Sequence, residues 1–414
     1  MEWKHYKMDE LIEEISMGPF GSDVKKEFYV DNGVPILNGS NLQGFKLQED
    51  SFGYLTKEKA DSLKKCNAHR GDIIVTHRGT LGQIVYVPIN SKYDRYVISQ
   101  SQFRFRCKAD LVDVQYLVYY FHTREGQYKI LANASQVGVP ALARATSTFR
   151  LIDIKLPPLA TQRRIASILS SLDRKIELNN KINADLEEMA QAIFKNWFVD
   201  FEPFKNGKFV DSELGMIPEG WKVGRLDEIA DVVGGSTPSK AKPEYYTQKG
   251  IAWLTPKDLS NHPAVYTSRG EIDITEEGYN STSTKLMPKG TILFTSRAPI
   301  GYISIAQNDI CTNQGFKSLV PKKVGTCFLY CFLKYVTPEI ENKSTGSTFK
   351  EASGSLMKSL QVIMPEQKVF EDFETIVSPL FARIESLEKE NSRLSLLRDT
   401  LLPRLMSGEL EVPE

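Results

Sequence analysis

The side chains that carry out chemistry in proteins are present in this sequence, but they do not fall at catalytic spacings. Its five histidines form no HExxH or HxH pair. No GxxxxGK[ST] loop is present, and no GxGxxG follows a strand and opens a helix, which argues against mononucleotide and dinucleotide sites. The sequence therefore looks non-catalytic.

Two short matches keep an enzymatic alternative open. Glu366-Gln367-Lys368 has the E-x-K form of a nuclease motif, but it lies at a predicted helix start, and so short a match is expected by chance. Pro157-Pro158 is preceded by Leu156 rather than by the Asn or Asp of an amino-methyltransferase tetrapeptide. A nuclease or methyltransferase with unrecognised motifs is the alternative function.

Two arginines at matched positions indicate binding rather than catalysis. Thr76-His77-Arg78-Gly79 and Thr295-Ser296-Arg297-Ala298 each place an Arg directly after an apolar strand and before a turn. An Arg at a strand end can hold a phosphate or a guanine edge through two hydrogen bonds. The alternative is an Arg that pairs with a carboxylate of its own domain, and the sequence does not separate the two.

Four loops combine basic and hydroxyl side chains with nearby aromatic residues, at 22–28, 135–144, 236–246 and 344–350. Each alone could be a solvated loop, but their recurrence at matched places in two halves of the chain favours nucleic-acid binding. The candidate DNA-binding residues are Lys25, Lys26, His77, Arg78, Arg144, Lys240, Lys257, Ser296, Arg297 and Lys350.

These candidates belong to an internal repeat that covers almost the whole chain. The matched segments are Trp3-Lys4 with Trp221-Lys222, 33–42 with 250–259, 71–82 with 290–301, and 98–101 with 312–315. Within each half, short β-rich runs bounded by Gly, Pro and Asn alternate with a few helices, such as Val114–Phe121 and Phe328–Val336. This pattern predicts a mixed α/β (α+β) domain around a twisted sheet in each half.

Each half ends in a long segment with apolar residues at a coiled-coil period. Residues 162–197 contain no Pro or Gly, and a shift of 208 residues carries their heptad a positions onto those of a second segment. The predicted seam residues are Ile165, Leu172, Asn179, Leu186 and Ile193 in the first segment, and Phe373, Leu380, Leu387, Leu394 and Leu401 in the second. The d positions of the first segment are Ile168, Lys175, Ile182, Met189 and Asn196.

The shared phase predicts two long helices that pair within the chain, in a rod of roughly 50 Å. A buried Asn179 would fix their register. Pro379 should begin or kink the second helix, and Leu402-Pro403 should end it. The alternatives are two unrelated core helices, or rods that pair between chains in a structural protein.

Length and composition agree with a multidomain globular protein. The chain has 414 residues, 41% of them hydrophobic and 25% charged. Its predicted organisation is a first domain (1–158), a long helix (159–200), a linker read as a loop (201–220), a second domain (221–364), a second long helix (365–408) and a tail (409–414). Net charge is +3 and +4 on the two domains and −5 on residues 365–414, which is compatible with nucleic acid on the domains and protein on the rods.

The remaining composition bears on compartment and on metals. A charged N-terminus without an apolar segment, and no apolar run of about 18 residues, predict a cytoplasmic protein without a signal or a membrane span. Five cysteines without regular spacing fit reduced thiols. Cys327 and Cys331 lie one helical turn apart without further ligands nearby, so core packing is favoured over metal binding.

The chain also resembles the specificity (S) subunit of type I restriction–modification systems. The segments that carry the resemblance are LGMIPEGWK (214–222), GGSTPSK (234–240), GIAWLTPKDL (250–259), GTILFTSRAPIG (290–301), NQGF (313–316), FKNWFVDFEPF (194–204) and LRDTLLPRLMSGEL (397–410). The first half departs from this pattern, since MGPFGS (17–22) stands where the second has GGSTPS.

The resemblance implies two target-recognition domains, joined by two antiparallel helices, that each read one half of a bipartite duplex DNA site. It implies that the helices dock two modification subunits, which methylate adenine using S-adenosylmethionine, and that motor subunits using ATP complete the restriction complex. No cofactor and no catalytic residue are then expected in this chain. The recognised bases do not follow from the sequence.

Overall fold

The structure, a computed structural model, describes residues 3–135, 138–346 and 350–412. The chain forms two compact units. The first unit contains the residues up to Lys175 together with those from Arg393 onward, and the second contains Ile176–Ser392. Each unit therefore combines one globular domain with part of both long helices. None of the helices in the described ranges is both long and apolar enough to span a membrane.

The central sheet of the first unit has four antiparallel strands. Their order is Ile12–Met17, Gln102–Cys107, Ile73–Thr76, Ile84–Tyr86. The β-branched run of Ile73–Thr76 is buried along its whole length, as expected of a central strand covered on both faces. Ile73 and Val75 pack on the helical side of the sheet, whereas Ile74 packs into a separate apolar cluster on the other side.

A small second sheet, made of five strands of two or three residues each, covers that other side of the first unit. Its strand order is Tyr29–Val30, Gly53–Leu55, Val34–Ile36, Arg95–Val97, Asn67–His69. The pairing is parallel between Val34–Ile36 and Arg95–Val97 and antiparallel elsewhere.

The second unit repeats this arrangement. Its central sheet has the order Ala230–Gly234, Lys317–Pro321, Ile292–Ser296, Ile300–Ala306, Tyr266–Thr267, whose first four strands correspond one by one to those of the first unit. The small sheet is reduced to Tyr246–Thr247 with Asp273–Ile274, and to the parallel pair of Trp253–Leu254 with Cys311–Thr312. The prediction of two mixed α/β domains with the same fold is therefore confirmed.

The other elements close each domain or connect it to a helix. The remaining strands are Lys4–Lys7 with Asp153–Leu156, Ala134–Ser135 with Ala141–Leu142, Phe209–Ser212 with Gly215–Pro218, and Lys222–Arg225 with Gln361–Met364. The shorter helices are Met8–Leu11, Lys57–Ser62, Val114–His122, Arg124–Leu131, Ala145–Arg150, Leu226–Ile229, Pro256–Asn261, Glu276–Asn280, Thr326–Lys343 and Gly354–Ser359. The helix predicted at Phe328–Val336 is thus twice as long as expected.

The linker at 201–220 is not a simple loop. It contains a short 3₁₀ turn at Glu202–Phe204 and the hairpin of Phe209–Ser212 with Gly215–Pro218. The ring of Phe204 lies 4.7 Å from that of Trp221, at the start of the second domain. Glycine, proline and polar residues predicted turns correctly here, but the sequence did not reveal that the intervening residues pair as strands.

The two long helices span Leu159–Phe198 and Gln367–Ser407. In the first unit the start of the first helix packs against the end of the second, where Arg398 donates to Asp173 at 2.8 Å. In the second unit the rings of Phe198 and Phe373 lie 5.1 Å apart, and Asn179 lies against Asn391. Within each unit the helices therefore run antiparallel, as predicted.

The second helix passes through both of its prolines, so the prediction that Pro403 ends it is wrong. Pro379 and Pro403 are both exposed. A proline removes one helical hydrogen bond, and water can satisfy the carbonyl that is freed on an exposed face. The helix ends at Ser407, before Gly408, whose φ of +77° is typical of a glycine beyond a helix C-terminus.

The seam follows the predicted a positions and only part of the predicted d positions. At the a positions, Asn179 and Leu387 are fully buried, and Leu172, Leu186, Ile193, Leu380, Leu394 and Leu401 are half-buried. At the d positions, Lys175 and Ile182 are half-buried, whereas Ile168, Met189 and Asn196 are exposed. The second buried line lies four residues after each a position, at Leu169, Ile176, Asn183, Ala190, Trp197 and their counterparts Val377, Ile384, Asn391, Arg398, Leu405.

Asn179 is the polar interruption of this seam. Its amide donates to Glu390 Oε2 at 2.8 Å and to Asn391 Oδ1 at 2.9 Å, and the amide of Asn391 donates to Asn180. A sliding of the helices by one turn would leave the buried amide of Asn179 unpaired, so the cluster favours one register.

Carboxylates of the second helix bind the second domain to it. Glu388 accepts from the backbone N–H groups of Val265 at 2.7 Å and Tyr266 at 3.0 Å, and burial raises the pKa of Glu388 to about 7. Glu374 accepts from the N–H groups of Cys327 and Phe328, at the start of a helix whose first N–H groups have no partner within it.

Leu387→Ala should lower the free energy of unfolding by about 2–5 kcal/mol, because it opens a cavity where Leu387 is 1% exposed. The matched control is Leu396→Ala on the same helix, where the side chain is 69% exposed and the effect should stay within about 0.5 kcal/mol. Denaturant unfolding of both variants measures the difference. Equal losses would show that this seam does not stabilise the fold.

Candidate nucleic-acid interface

In each unit, three segments meet beyond the end of the central strand, and we call the group a three-loop cluster. In the first unit it consists of the arginine turn 77–80, the glutamine turn 99–101 and the glycine loop 18–22. The N–H of His77 donates to the carbonyl of Ser101 at 2.9 Å, which joins the first two segments. Gly18 lies directly against the carbonyl of Ser99, where any side chain would overlap it.

The second three-loop cluster consists of the arginine turn 296–299, the glutamine turn 313–315 and the glycine loop 235–239. The N–H of Ser296 donates to the carbonyl of Gly315 at 2.8 Å, as His77 does to Ser101 in the first unit. Gly235 lies against the carbonyls of Thr312 and Asn313. The hydroxyl of Thr237 donates to Gln314, so all three segments are in contact.

Glycines at matched positions give both clusters the same backbone path. Gly71 and Gly290, which precede the central strands, have φ of +85° and +87°. Gly82 and Gly301, which follow the arginine turns, have φ of +84° and +96°. These left-handed conformations strain a residue with a side chain, which explains why both copies have glycine there.

The two arginines differ in their surroundings. Arg78 is exposed, and its side chain makes no hydrogen bond or ion pair with the residues described. Arg297 is 38% exposed, and its Nη1 lies 3.7 Å from Glu351 Oε2. The sequence left open whether these arginines pair within their own domain, and in this structure Arg297 does.

Two candidates of the arginine turns have roles in the fold. Ser296 is fully buried and its hydroxyl donates to the carbonyl of Gly315 at 3.2 Å, so in this structure it does not lie on the surface where it was predicted. His77 is half-buried with Nε2 3.2 Å from the carbonyl of Gln100, and burial lowers the pKa of its imidazole. A neutral His77 adds no positive charge to the surface.

The basic candidates of the other loops are exposed: Lys25, Lys26, Arg144, Lys240, Lys257 and Lys350. Lys257 lies 3.5 Å from Glu271, but both side chains are more than 70% exposed, so the pair is weak. Lys350 donates to the carbonyl of Glu341 at 3.3 Å. Among the residues described, the six basic side chains do not contact one another. Parts of two predicted loops, 136–137 and 347–349, lie outside the described ranges.

Two exposed side chains outside the predicted set also lie at the clusters, Gln100 and Gln314. Each occupies the middle of its glutamine turn, beside the glycine loop. The match of residues 98–101 with 312–315 in the repeat is the sequence signal for these two glutamines. A glutamine amide can bind phosphate or the edge of an adenine.

Metal binding finds no support among the described residues, which contain no cluster of three or more His, Cys, Asp or Glu side chains suited to a metal ion. Cys327 and Cys331 are buried in the apolar core of the second unit, as predicted. Burial raises the pKa of both thiols, which keeps them protonated.

Fold and surface thus define a duplicated α/β protein with one arginine- and glutamine-bearing surface per copy. The family model for the type I restriction modification DNA specificity domain matches residues 1–188 and 218–395. The chain therefore belongs to the family of type I restriction–modification specificity subunits, and it carries two copies of the domain.

Similar proteins support the same family. The type I restriction enzyme MjaIX specificity subunit of Methanocaldococcus jannaschii is 42% identical over 190 residues, which cover 45% of this chain and 44% of that protein. The HindI specificity subunit of Haemophilus influenzae is 24% identical over 99% of this chain and 100% of that protein. The solved S subunit from M. genitalium has a similar fold, with a TM-score of 0.58 at 19% identity, over 98% of this chain and 96% of that one.

Gly235→Ala should disrupt the second three-loop cluster, because the added methyl group would overlap backbone that cannot move aside cheaply. We expect a lower melting temperature and weaker DNA binding by the complex. The neighbouring Gly234→Ala is the control, since a methyl group there would meet no atom within 4 Å. Equal behaviour of the two variants would refute the packing described for this cluster.

Proposed function

We propose that this chain reads a bipartite DNA site for a type I restriction–modification complex, one half-site for each repeat. The observation that carries the proposal is the recurrence of the three-loop cluster in both units, with Arg78 and Arg297 at one position and Gln100 and Gln314 at another. A duplicated surface with unequal flanking loops is suited to two different half-sites of one duplex.

We divide the residues of each surface by whether the repeats share them. Residues common to both copies do not explain why two domains would read different sequences, so Arg78 and Arg297 are assigned to the phosphate backbone. The loops that differ, 17–30 against 234–249 and 38–50 against 255–270, are assigned to the bases. Lys240 and Lys257 lie exposed in the two divergent loops of the second domain, 234–249 and 255–270.

We further propose that the long helices dock two copies of a modification subunit. Apolar side chains remain exposed at positions that the shift of 208 residues relates: Ile168 (37%) with Ile376 (47%), and Met189 (51%) with Leu397 (46%). They lie beside the seam rather than in it. Two equivalent apolar surfaces suit two copies of one partner.

The catalytic steps are assigned to the partners. The modification subunits would bind S-adenosylmethionine and methylate adenine, and the restriction subunits would use ATP, so this chain needs no cofactor. Such a complex would work in the cytoplasm. The competing function, a nuclease or methyltransferase, is tested by incubating the purified chain with plasmid and either Mg²⁺ or S-adenosylmethionine; turnover would overturn the proposal.

The assignment of shared and divergent residues predicts two kinds of variant. Arg78→Ala should weaken binding to all duplexes alike. It should also reduce the slope of log affinity against log salt concentration by about one unit, as expected for one lost phosphate contact. Lys240→Ala should reduce discrimination by roughly 1–3 kcal/mol at one base pair of one half-site, as expected for a lost base contact. Binding of the reconstituted complex to duplexes with single substitutions, at two salt concentrations, distinguishes them. A change of base preference by Arg78→Ala would contradict the assignment.

Met189→Asp should prevent one modification subunit from co-purifying, because it places a charge within an apolar contact. Leu397→Asp should affect the other subunit. The control is Ala184→Asp, also exposed but five residues away and so about 140° around the helix. If Ala184→Asp and Met189→Asp lower the modification-to-specificity subunit ratio equally, this face is not the docking surface.

A further inference from the structure

The two three-loop clusters differ in the residue opposite the arginine. Arg78 forms an isolated antiparallel bridge with Ala141, and Arg297 forms the corresponding bridge with Glu351. The next backbone bonds also correspond, since Leu142 donates to the carbonyl of His77 at 2.8 Å and Ala352 to that of Ser296 at 2.9 Å. Glu351 therefore stands where the first unit has an alanine.

Glu351 lies between two cations. Its Oε1 is 3.3 Å from Lys317 Nζ and its Oε2 is 3.7 Å from Arg297 Nη1. Lys317 is only 17% exposed, whereas the side chains of Arg297 and Glu351 are 38% and 40% exposed. Beside them an open groove of about 530 Å³ is lined by Glu351, Lys343, Lys358 and the hydroxyls of Ser353 and Ser355.

We propose that the Glu351 carboxylate occupies the place of a DNA phosphate between Arg297 and Lys317, and that the phosphodiester backbone of the second half-site displaces it. The inference rests on the proposed function. A carboxylate and a phosphodiester both present anionic oxygens to these cations, and two such anions close together repel each other. The second unit should therefore bind any DNA backbone more weakly than it would without Glu351.

Glu351 is not needed to hold the backbone in place. The segment is fixed by main-chain bonds, from Glu351 N to the carbonyl of Thr345 at 2.9 Å and from Ala352 N to that of Ser296. Ala352 is itself fully buried. Removal of the charge of Glu351 should thus leave the arginine turn where it is. Glu351→Gln also keeps an oxygen that can accept a hydrogen bond from Lys317.

The test uses the complex reconstituted with its modification subunit and a panel of duplexes at several salt concentrations. Glu351→Gln should tighten binding about two- to fivefold for every duplex, the range expected for a partly exposed ion pair. It should also steepen the slope of log affinity against log salt concentration by up to about one unit, as expected for one added phosphate contact. The reciprocal Ala141→Glu should weaken binding to every duplex, because it gives Arg78 the carboxylate that Arg297 has.

A double variant tests whether Glu351 weakens DNA binding through its pairing with Arg297. In an Arg297→Ala background, Glu351→Gln should gain less than it does alone, since one of the two cations that it releases is missing. Full additivity, or no change in affinity from Glu351→Gln, would overturn the inference. A change confined to one base pair would also overturn it, because Glu351 would then be accepting a hydrogen bond from a cytosine. If the unaltered complex prefers no sequence, the proposed function itself fails.

Discussion

The structure depends on the burial of the apolar seam, which runs as a line along each long helix. A helix of 40 residues is about 60 Å long, and such a line is not stable in water without a partner. In the second unit the line is buried jointly by the other helix and by the domain, because Phe194, Phe373 and Phe328 belong to one apolar cluster. The paired helices and the domain therefore share one apolar core in that unit. The first unit follows the same rule, since Leu169 and Leu405 share a cluster with the strands of its sheet.

Periodicity was enough to predict the helices but not the side on which they pack. The predicted segment 162–197 lies inside the observed Leu159–Phe198. Residues three and four positions apart both neighbour a given seam residue, so a heptad alone does not decide which flank is buried. Here the domains cover the flank of Leu169 and Ala190, and Met189 on the opposite flank is left exposed. That choice depends on contacts far apart in the sequence.

The candidate site was predictable where the repeat constrained it. Matched glycines and arginines located both arginine turns, because a left-handed backbone and a strand end leave local signals. The burial of Ser296 could not be read in the same way, since it results from pairing with Gly315, 19 residues away. The same holds for Gln314, whose place beside Thr237 results from a contact between segments 77 residues apart in the sequence.

A duplicated DNA reader must keep its two copies alike in fold while allowing them to differ in sequence preference. Under the proposed function, the divergent loops would supply different base contacts without disturbing the shared sheet. The pair Ala141 and Glu351 would add a second way to differ, in the strength of backbone binding. Because both domains belong to one chain, the second half-site would bind at a high effective concentration once the first is bound. On the proposed displacement of Glu351, a weaker hold on phosphate by the second domain would lower affinity for every sequence at which that domain is bound, without changing which bases it prefers.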